Sequence, residues 1–216
     1  MTNLLSMTDP TPPVAPEGAA STRDRLVDAA ARLFYEQGVH IGVDTLCKAA
    51  GVSKRSMYQL FHSKDELVSA SLERIAPDYR AALLPADDIR SPRARILHIF
   101  ERLEYLAPAQ EFRGCPYVAA AVQLKSPRHP ASVVARRQKD ALTSFFRSEA
   151  ERGGAPDPER LARQLTLVFD GASARTVVRA EPLDGLAVVT ATTLLDAAGV
   201  VDTAGSGGTD PQSAPV

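Results

Sequence analysis

The chain is expected to be all-α, and three observations carry that expectation. No stretch of its 216 residues alternates apolar and polar positions as a half-buried strand would. Glycine and proline divide the sequence into segments whose apolar residues recur at helical spacing. Within one of these segments, a tight glycine turn separates two short amphipathic stretches. With 44% hydrophobic residues, the chain can bury a sizeable core.

The first helix is expected from about Ser21 to Gln37, with Leu26, Ala30, Leu33 and Phe34 facing inward and Gly38 at its end. The glycine-turn segment covers residues 42–64. Its first helix carries Val43, Leu46, Ala49 and Ala50 on an apolar face, with Cys47 filling space toward the next helix. Gly51 makes the turn, and Ser53 caps a second helix whose apolar side is Met57, Leu60 and Phe61. Ser63, with Glu66 three residues later, has the capping-box spacing and opens a fourth helix through Leu67, Val68, Leu72 and Ile75. Pro77, Pro85 and Pro92 then bracket an expected loop, in which 78–84 can stay partly helical. Further helices are expected at Pro92–Leu106, Pro116–Leu124, Pro130–Arg152, Pro158 to about Ala180, and Pro182 to near Gly199, which makes nine segments. The ends, 1–20 and 201–216, are rich in Pro, Gly, Ser and Thr and are expected to be disordered tails.

Two short helices about a glycine turn form a unit that reads DNA, and the polar side of the second helix suits that task. Lys54, Arg55, Ser56 and Gln59, with Tyr58 beside them, supply the cations, hydroxyls and amide that phosphates and base edges accept as partners. Net charge conceals this, because 25 basic and 26 acidic residues leave the chain at -1. From Thr45 to Lys64, however, there are Lys48, Lys54, Arg55 and Lys64 and no Asp or Glu. Such a basic stripe is the electrostatic footprint of nucleic-acid binding, although four cations alone also suit a solvated helix face. The candidate DNA-contacting set is Thr45, Lys48, Ser53, Lys54, Arg55, Ser56, Tyr58, Gln59, His62 and Lys64. Arg55, Ser56 and Gln59 are assigned to bases; Tyr58, Lys64 and Lys48 are assigned to phosphates.

These same residues give the chain a resemblance to the TetR family of bacterial transcription regulators. The resemblance runs from Arg25-Leu26 through Leu67-Val68. It includes Ala29-Ala30 to Phe34, Gly38, Ala50-Gly51-Val52-Ser53, Tyr58, Phe61 and Ser63-Lys64. It implies a homodimer of all-α subunits of about nine helices, each with a three-helix head at 21–67 and a ligand-binding and dimerising body at 68–200. The chain departs from the family pattern at Gly42, where Thr or Ser is common, and at Leu60, where His is frequent.

In the body the resemblance is confined to Arg113-Gly114-Cys115-Pro116-Tyr117 and the last two helices. Leu161, Leu165, Val168 and Ala172, followed by Leu186, Val189, Thr193 and Ala197, recur at helical spacing. Helices near 158–181 and 183–199 are therefore expected to pair with their copies in a four-helix bundle; an internal core would produce the same pattern. The candidate effector pocket comprises Phe100, Leu103, Phe112, Tyr117, Phe146 and Phe169, with His98 and Gln123 as polar groups.

The expected partners are a double-stranded operator, a second copy of the chain and an unidentified small molecule. No cofactor or metal is expected: His98 and His129 lack acidic or cysteine partners at ligand spacing, and Cys47 and Cys115 lie in no Cys-x-x-Cys cluster. Neither a glycine-rich phosphate loop nor a nucleophile elbow is visible, which argues against an enzyme. Without a long apolar run or a secretory signal, the protein is expected to stay in the cytoplasm. The expectation is thus a ligand-released repressor. The alternative is a helical small-molecule-binding or catalytic protein whose head has lost specific recognition.

Overall fold

The computed structural model describes residues 20–86 and 91–202. The two expected tails fall almost wholly outside the described residues. Among these residues there are nine α-helices and no strand: α1 (Thr22–Gln37), α2 (Val43–Ala50), α3 (Lys54–Leu60), α4 (Lys64–Leu83), α5 (Pro92–Leu106), α6 (Pro116–Leu124), α7 (Pro130–Arg152), α8 (Pro158–Arg179) and α9 (Leu186–Ala197). Their starts follow local chemistry. Ser21, Ser53, Ser63, Ser91 and Asp157 each accept the backbone N–H three residues on, and Pro opens α5, α6, α7 and α8, where its missing N–H has no cost.

Two helices differ from the expected extents. α4 runs through Pro77 to Leu83 instead of stopping before it. Pro77 removes one N–H from the ladder, but it sits on the exposed side. The opposite side buries Leu72, Ala76 and Leu83, and that packing keeps the helix continuous. α9 begins at Leu186, because Asp184 (φ 49°) and Gly185 (φ 85°) adopt left-handed backbone after Pro182. The start of α9 is held from another helix. On α5, the Glu104 carboxylate accepts the N–H groups of Gly185 (2.9 Å), Ala187 (2.9 Å) and Val188 (3.1 Å).

The core has two parts. The first joins Leu26, Ala30, Leu33 and Phe34 of α1 to Leu46 of α2, Met57 of α3, Phe61, and Leu67 and Leu72 of α4. It runs past residue 67 without a break, through Ala76, to Tyr117 and Ala120 of α6 and Val134 of α7. The second lies among α5, α7, α8 and α9. There Phe100 stacks on Phe146 at 5.7 Å between ring centroids and meets Phe169 edge-on at 6.5 Å.

Two assignments of residues to faces change, at Ala49 and Leu60, and on α8 the internal-core alternative holds for Leu161 and Leu165. Ala49 is exposed, because α2 turns inward the stripe of Leu46, Cys47 and Ala50. Leu60 is 37% exposed. The helix ends there, and extended backbone at Phe61 (φ -137°, ψ 128°) sends Phe61 into the core instead. On α8, Leu161 and Leu165 are buried within the subunit, while Val168 and Ala172 pack partly against that core. The stripe that α8 leaves outward is Leu167, Gly171, Ala174 and Val178. On α9, Leu186, Val189, Thr193 and Ala197 are outward, as the spacing indicated.

Candidate nucleic-acid interface and effector cavity

The α2–α3 unit depends on a few local devices. Gly51 takes left-handed backbone (φ 64°, ψ 38°), and its N–H reaches back to the α2 carbonyls. Ser53 then accepts the Ser56 N–H at 3.0 Å, and the two hydroxyls lie 2.9 Å apart. Inside the turn, Cys47 Sγ and Met57 Sδ meet at 3.9 Å. Burial pushes the Cys47 thiol above its ordinary value, with the Asp44 carboxylate adding to the shift. With one side of α3 anchored in this way, Lys54, Arg55, Tyr58 and Gln59 stand exposed, as do Thr45 and Lys48 on α2. His62 is also exposed, in the link that precedes α4, and Lys64 is half-buried. Its partial burial lowers the Lys64 ammonium from the usual lysine value.

Three members of the set are already engaged, the first being Ser53, whose hydroxyl caps α3. Ser56 is half-buried with its hydroxyl against Ser53, so its reach toward a base is short. Lys54 is ion-paired with Asp44, Nζ to Oδ1 2.7 Å, and this hydrogen bond raises the lysine above its ordinary value. The basic stripe is therefore compensated at one position, by a carboxylate one residue before the window that begins at Thr45. Gly42 supplies no side-chain cap to α2, and Asp44 stands in that helix's first turn.

Several bonds tie this head to the body. Arg74 of α4 pairs with Asp24 at 3.3 Å and with Asp28 at 2.9 Å on α1. Tyr35 of α1 donates its hydroxyl to the Gly114 carbonyl (3.1 Å) and accepts the Arg113 N–H (2.8 Å). Gln123 of α6 accepts the Val39 N–H at 2.9 Å, just beyond α1. His129 accepts the Ala131 N–H through Nδ1 and places Nε2 3.3 Å from Asp65, in the first turn of α4. Glu66 completes a capping pattern, although its carboxylate takes the N–H of His62 rather than that of Ser63.

The expected effector-pocket residues do not gather at one cavity. Phe100, Leu103, Phe146 and Phe169 are fully packed core. Gln123 is committed to Val39, and His98 is half-buried on α5. Phe112 lines an open cleft with Tyr35, Ile75 and Leu106. Tyr117 alone of the set lines the cavity of about 160 Å³ enclosed by α4, α6 and α7, together with Tyr79, Leu83, Cys115, Lys139 and Leu142. Burial raises the phenols of Tyr79 and Tyr117 well above their ordinary value, so both stay protonated. Sequence reasoning placed none of the other lining residues at the pocket, Leu83 and Lys139 among them. The first lies beyond Pro77, in a segment expected to be a loop with partial helix. The second lies on α7, where Gln138, Lys139, Ala141 and Leu142 share one face at helical spacing, and that signal was present in the sequence.

Comparison with known proteins agrees with this architecture. Residues 26–71 match the family described as bacterial regulatory proteins, tetR family. A crystal structure of a protein from Streptomyces avermitilis, described as a TetR-type transcriptional regulator, is 61% identical; the match covers 84% of this chain and all of that one, with a TM-score of 0.82. The HTH-type transcriptional regulator TtgR of Pseudomonas putida is 26% identical over 78% of this chain and 86% of its own length. The HTH-type transcriptional activator FasR of Mycolicibacterium smegmatis is 37% identical over 38% of this chain and 41% of its own. These relatives are transcription regulators, not enzymes, and among the described residues no helix is long and apolar enough to cross a membrane. With a three-helix reading head at its start, a helical body behind it and a 61%-identical relative covered along its whole length, the chain belongs to the TetR family and is a DNA-binding transcriptional regulator.

Proposed function

We propose that the protein is a homodimeric repressor that holds a near-palindromic operator and releases it when a small molecule fills the cavity among α4, α6 and α7. The observation that carries this reading is the path between reading helix and cavity. Tyr79 and Leu83 line the cavity on the same helix whose first turn follows the head, and Cys115 and Tyr117 line it at the start of α6, whose far end holds Val39 through Gln123. A ligand that fits one position of α4 and α6 better than another shifts the heads toward that position, which is the only way binding moves such an equilibrium.

The outward stripes of α8 and α9 support the dimer. Leu167 is 74% exposed, Val178 81% and Val189 63%, and Gly171 has open space where a side chain would stand. Apolar stripes on two adjacent helices suit a two-fold four-helix bundle. Such a dimer presents its α3 helices to half-sites one turn apart, roughly 34–36 Å, or a multiple of that. Arg55 and Gln59 then meet base edges in the major groove, while Lys48, Tyr58 and Lys64 hold phosphates. Thr45, Ser53, Lys54 and His62 border that contact. Repression is the sign of control typical of the family, and the protein acts in the cytoplasm, where its DNA lies.

Gel shifts with the DNA flanking its own gene test the reading, alongside sedimentation of the protein and of Leu167→Glu. Saturable, competitor-resistant binding by the parent and loss of dimer in the variant are expected. A parent that is monomeric, or indifferent to the flanking DNA, refutes it. A reporter whose expression falls when the gene is deleted identifies an activator.

A further inference from the structure

Two cavities meet at α6 and α7. The inner one is that of about 160 Å³, and its walls are mainly apolar, with Leu83, Leu84 and Leu142 prominent. The outer one is a cleft of about 460 Å³ between α6 and the beginning of α7, floored by Val118, Ala121 and Ala135. Tyr117 and Lys139 line both, so they stand between the two.

The lining has one sign of charge. Arg80 and Lys139 line the inner cavity, Lys125 and Arg136 join Lys139 in the outer cleft, and among the described residues neither lining includes an Asp or Glu. In a chain with 26 acidic and 25 basic residues, such one-sidedness is local. Asp170 of α8 forms an ion pair with Lys139 but lines neither cavity, so Arg80, Lys125 and Arg136 have no acidic partner among the described residues of the linings. Arg136 is held at the cleft by donating to the Pro127 carbonyl at 2.7 Å.

Two buried hydroxyls point to a ligand independently of charge. Tyr117 is 2% exposed and Ser132 6%, both line the outer cleft, and neither hydroxyl has a hydrogen-bond partner among the described residues. A buried hydroxyl without a partner is costly, and both can donate to an acceptor placed between α6 and α7.

We infer that the effector is a small organic carboxylate whose apolar body, about the size of one benzene ring, fills the inner cavity while its carboxylate meets Tyr117 and Arg136 at the cleft. The size follows from the volume, since a cavity of roughly 150 Å³ accommodates benzene. The sign follows from the cations: an ammonium ligand would face like charge, and a carboxylate accepts from Arg136 and from the two hydroxyls more strongly than a neutral group does. This inference rests on the reading of the same cavity as the effector site.

The test is calorimetric titration of the full chain with monocarboxylates from benzoate through 3-phenylpropanoate to octanoate, each beside its amide and its amine. At least one carboxylate should bind saturably and about tenfold tighter than its amide, with no binding by the amine. Arg136→Gln and Tyr117→Phe, checked for retained helical circular dichroism, should each remove most of that preference while leaving amide binding in place. Equal affinity for carboxylate and amide, tighter binding of the amine, or no binding by any carboxylate overturns the inference. A parallel gel shift separates it from the repressor reading. A carboxylate that binds without loosening DNA leaves the ligand class standing and refutes effector release; release by neutral or cationic compounds alone does the reverse.

Discussion

Replacing Glu104 with Ala tests how far the last helix depends on a distant carboxylate. Glu104 Oε2 accepts one N–H, from Gly185, and Oε1 accepts two, from Ala187 and Val188, so a single side chain on α5 satisfies three donors at the start of α9. No side chain at the local cap position does this, because that position is Gly185. Losing a helix cap costs about 1 kcal/mol. Removing a partly buried negative charge from a helix N-terminus adds about 1 to 2 kcal/mol. The expected loss is therefore about 2 to 3 kcal/mol, or a fall in melting temperature of roughly 4 to 12 °C for a chain of this size. Glu104→Gln should cost nearly as much, since an amide has one acceptor oxygen and its NH2 group would face an N–H. Thermal unfolding followed by circular dichroism, with sedimentation to read the dimer, measures both effects. If Glu104→Ala melts within about 1 °C of the parent, the cross-helix cap is not stabilising α9 and the reasoning fails.

Three further outcomes follow from the head and from the buried hydroxyls and thiol. Lys64→Ala should weaken binding to all duplexes alike and reduce the slope of log affinity against log salt by about 1, whereas Asp44→Asn, which frees Lys54, should strengthen binding and steepen that slope. An unchanged slope for Lys64→Ala removes Lys64 from the phosphate contacts, and one for Asp44→Asn shows that the freed Lys54 does not reach the DNA. Gly51→Ala meets no atom within 4 Å but must hold φ at +64°, so it should cost about 1 to 2 kcal/mol through backbone strain alone, seen as a lower denaturation midpoint. A neutral result would place the strain elsewhere. Stability should also fall at alkaline pH. The Cys47 thiol and the Tyr35, Tyr79 and Tyr117 phenols are held above their ordinary values of 9.0 and 10.0, chiefly by burial. The unfolded chain releases these protons first, so the stability is present below pH 9 and is lost as the pH rises toward the folded values. Denaturation midpoints measured from about pH 8 to about pH 10.5 should decline steadily, with the tyrosinate absorbance appearing on unfolding; a flat profile contradicts the burial.

The reading head was legible because its requirements are local. A left-handed turn needs Gly51, a helix start needs Ser53 or Ser63, and an amphipathic period places Met57 inside and Gln59 outside, all within about one helical turn. Family resemblance strengthened the same stretch. It could not show that Asp44, a residue outside the charged window, is paired with Lys54, because that depends on how α2 and α3 meet.

The body shows the opposite balance. Apolar periodicity located α5 to α8 closely, yet Phe100, Phe146 and Phe169 proved to be core and not cavity wall, since an aromatic residue has the same periodicity in either setting. In the same way, spacing on α8 marked Leu161 and Leu165, which turn inward, while the outward stripe is Leu167 to Val178. By itself, the amino-acid order determined the helical class, most of the helix starts and the chemistry of the reading helix, because hydrogen-bond caps, turn conformations and helical period act between near neighbours. Packing between distant helices decided the rest: which face of α8 lies outward, how α4 survives Pro77, what starts α9, and where cations gather around a void. Those features depend on contacts between residues as far apart as Glu104 and Val188 or Val39 and Gln123, and local spacing does not specify such contacts.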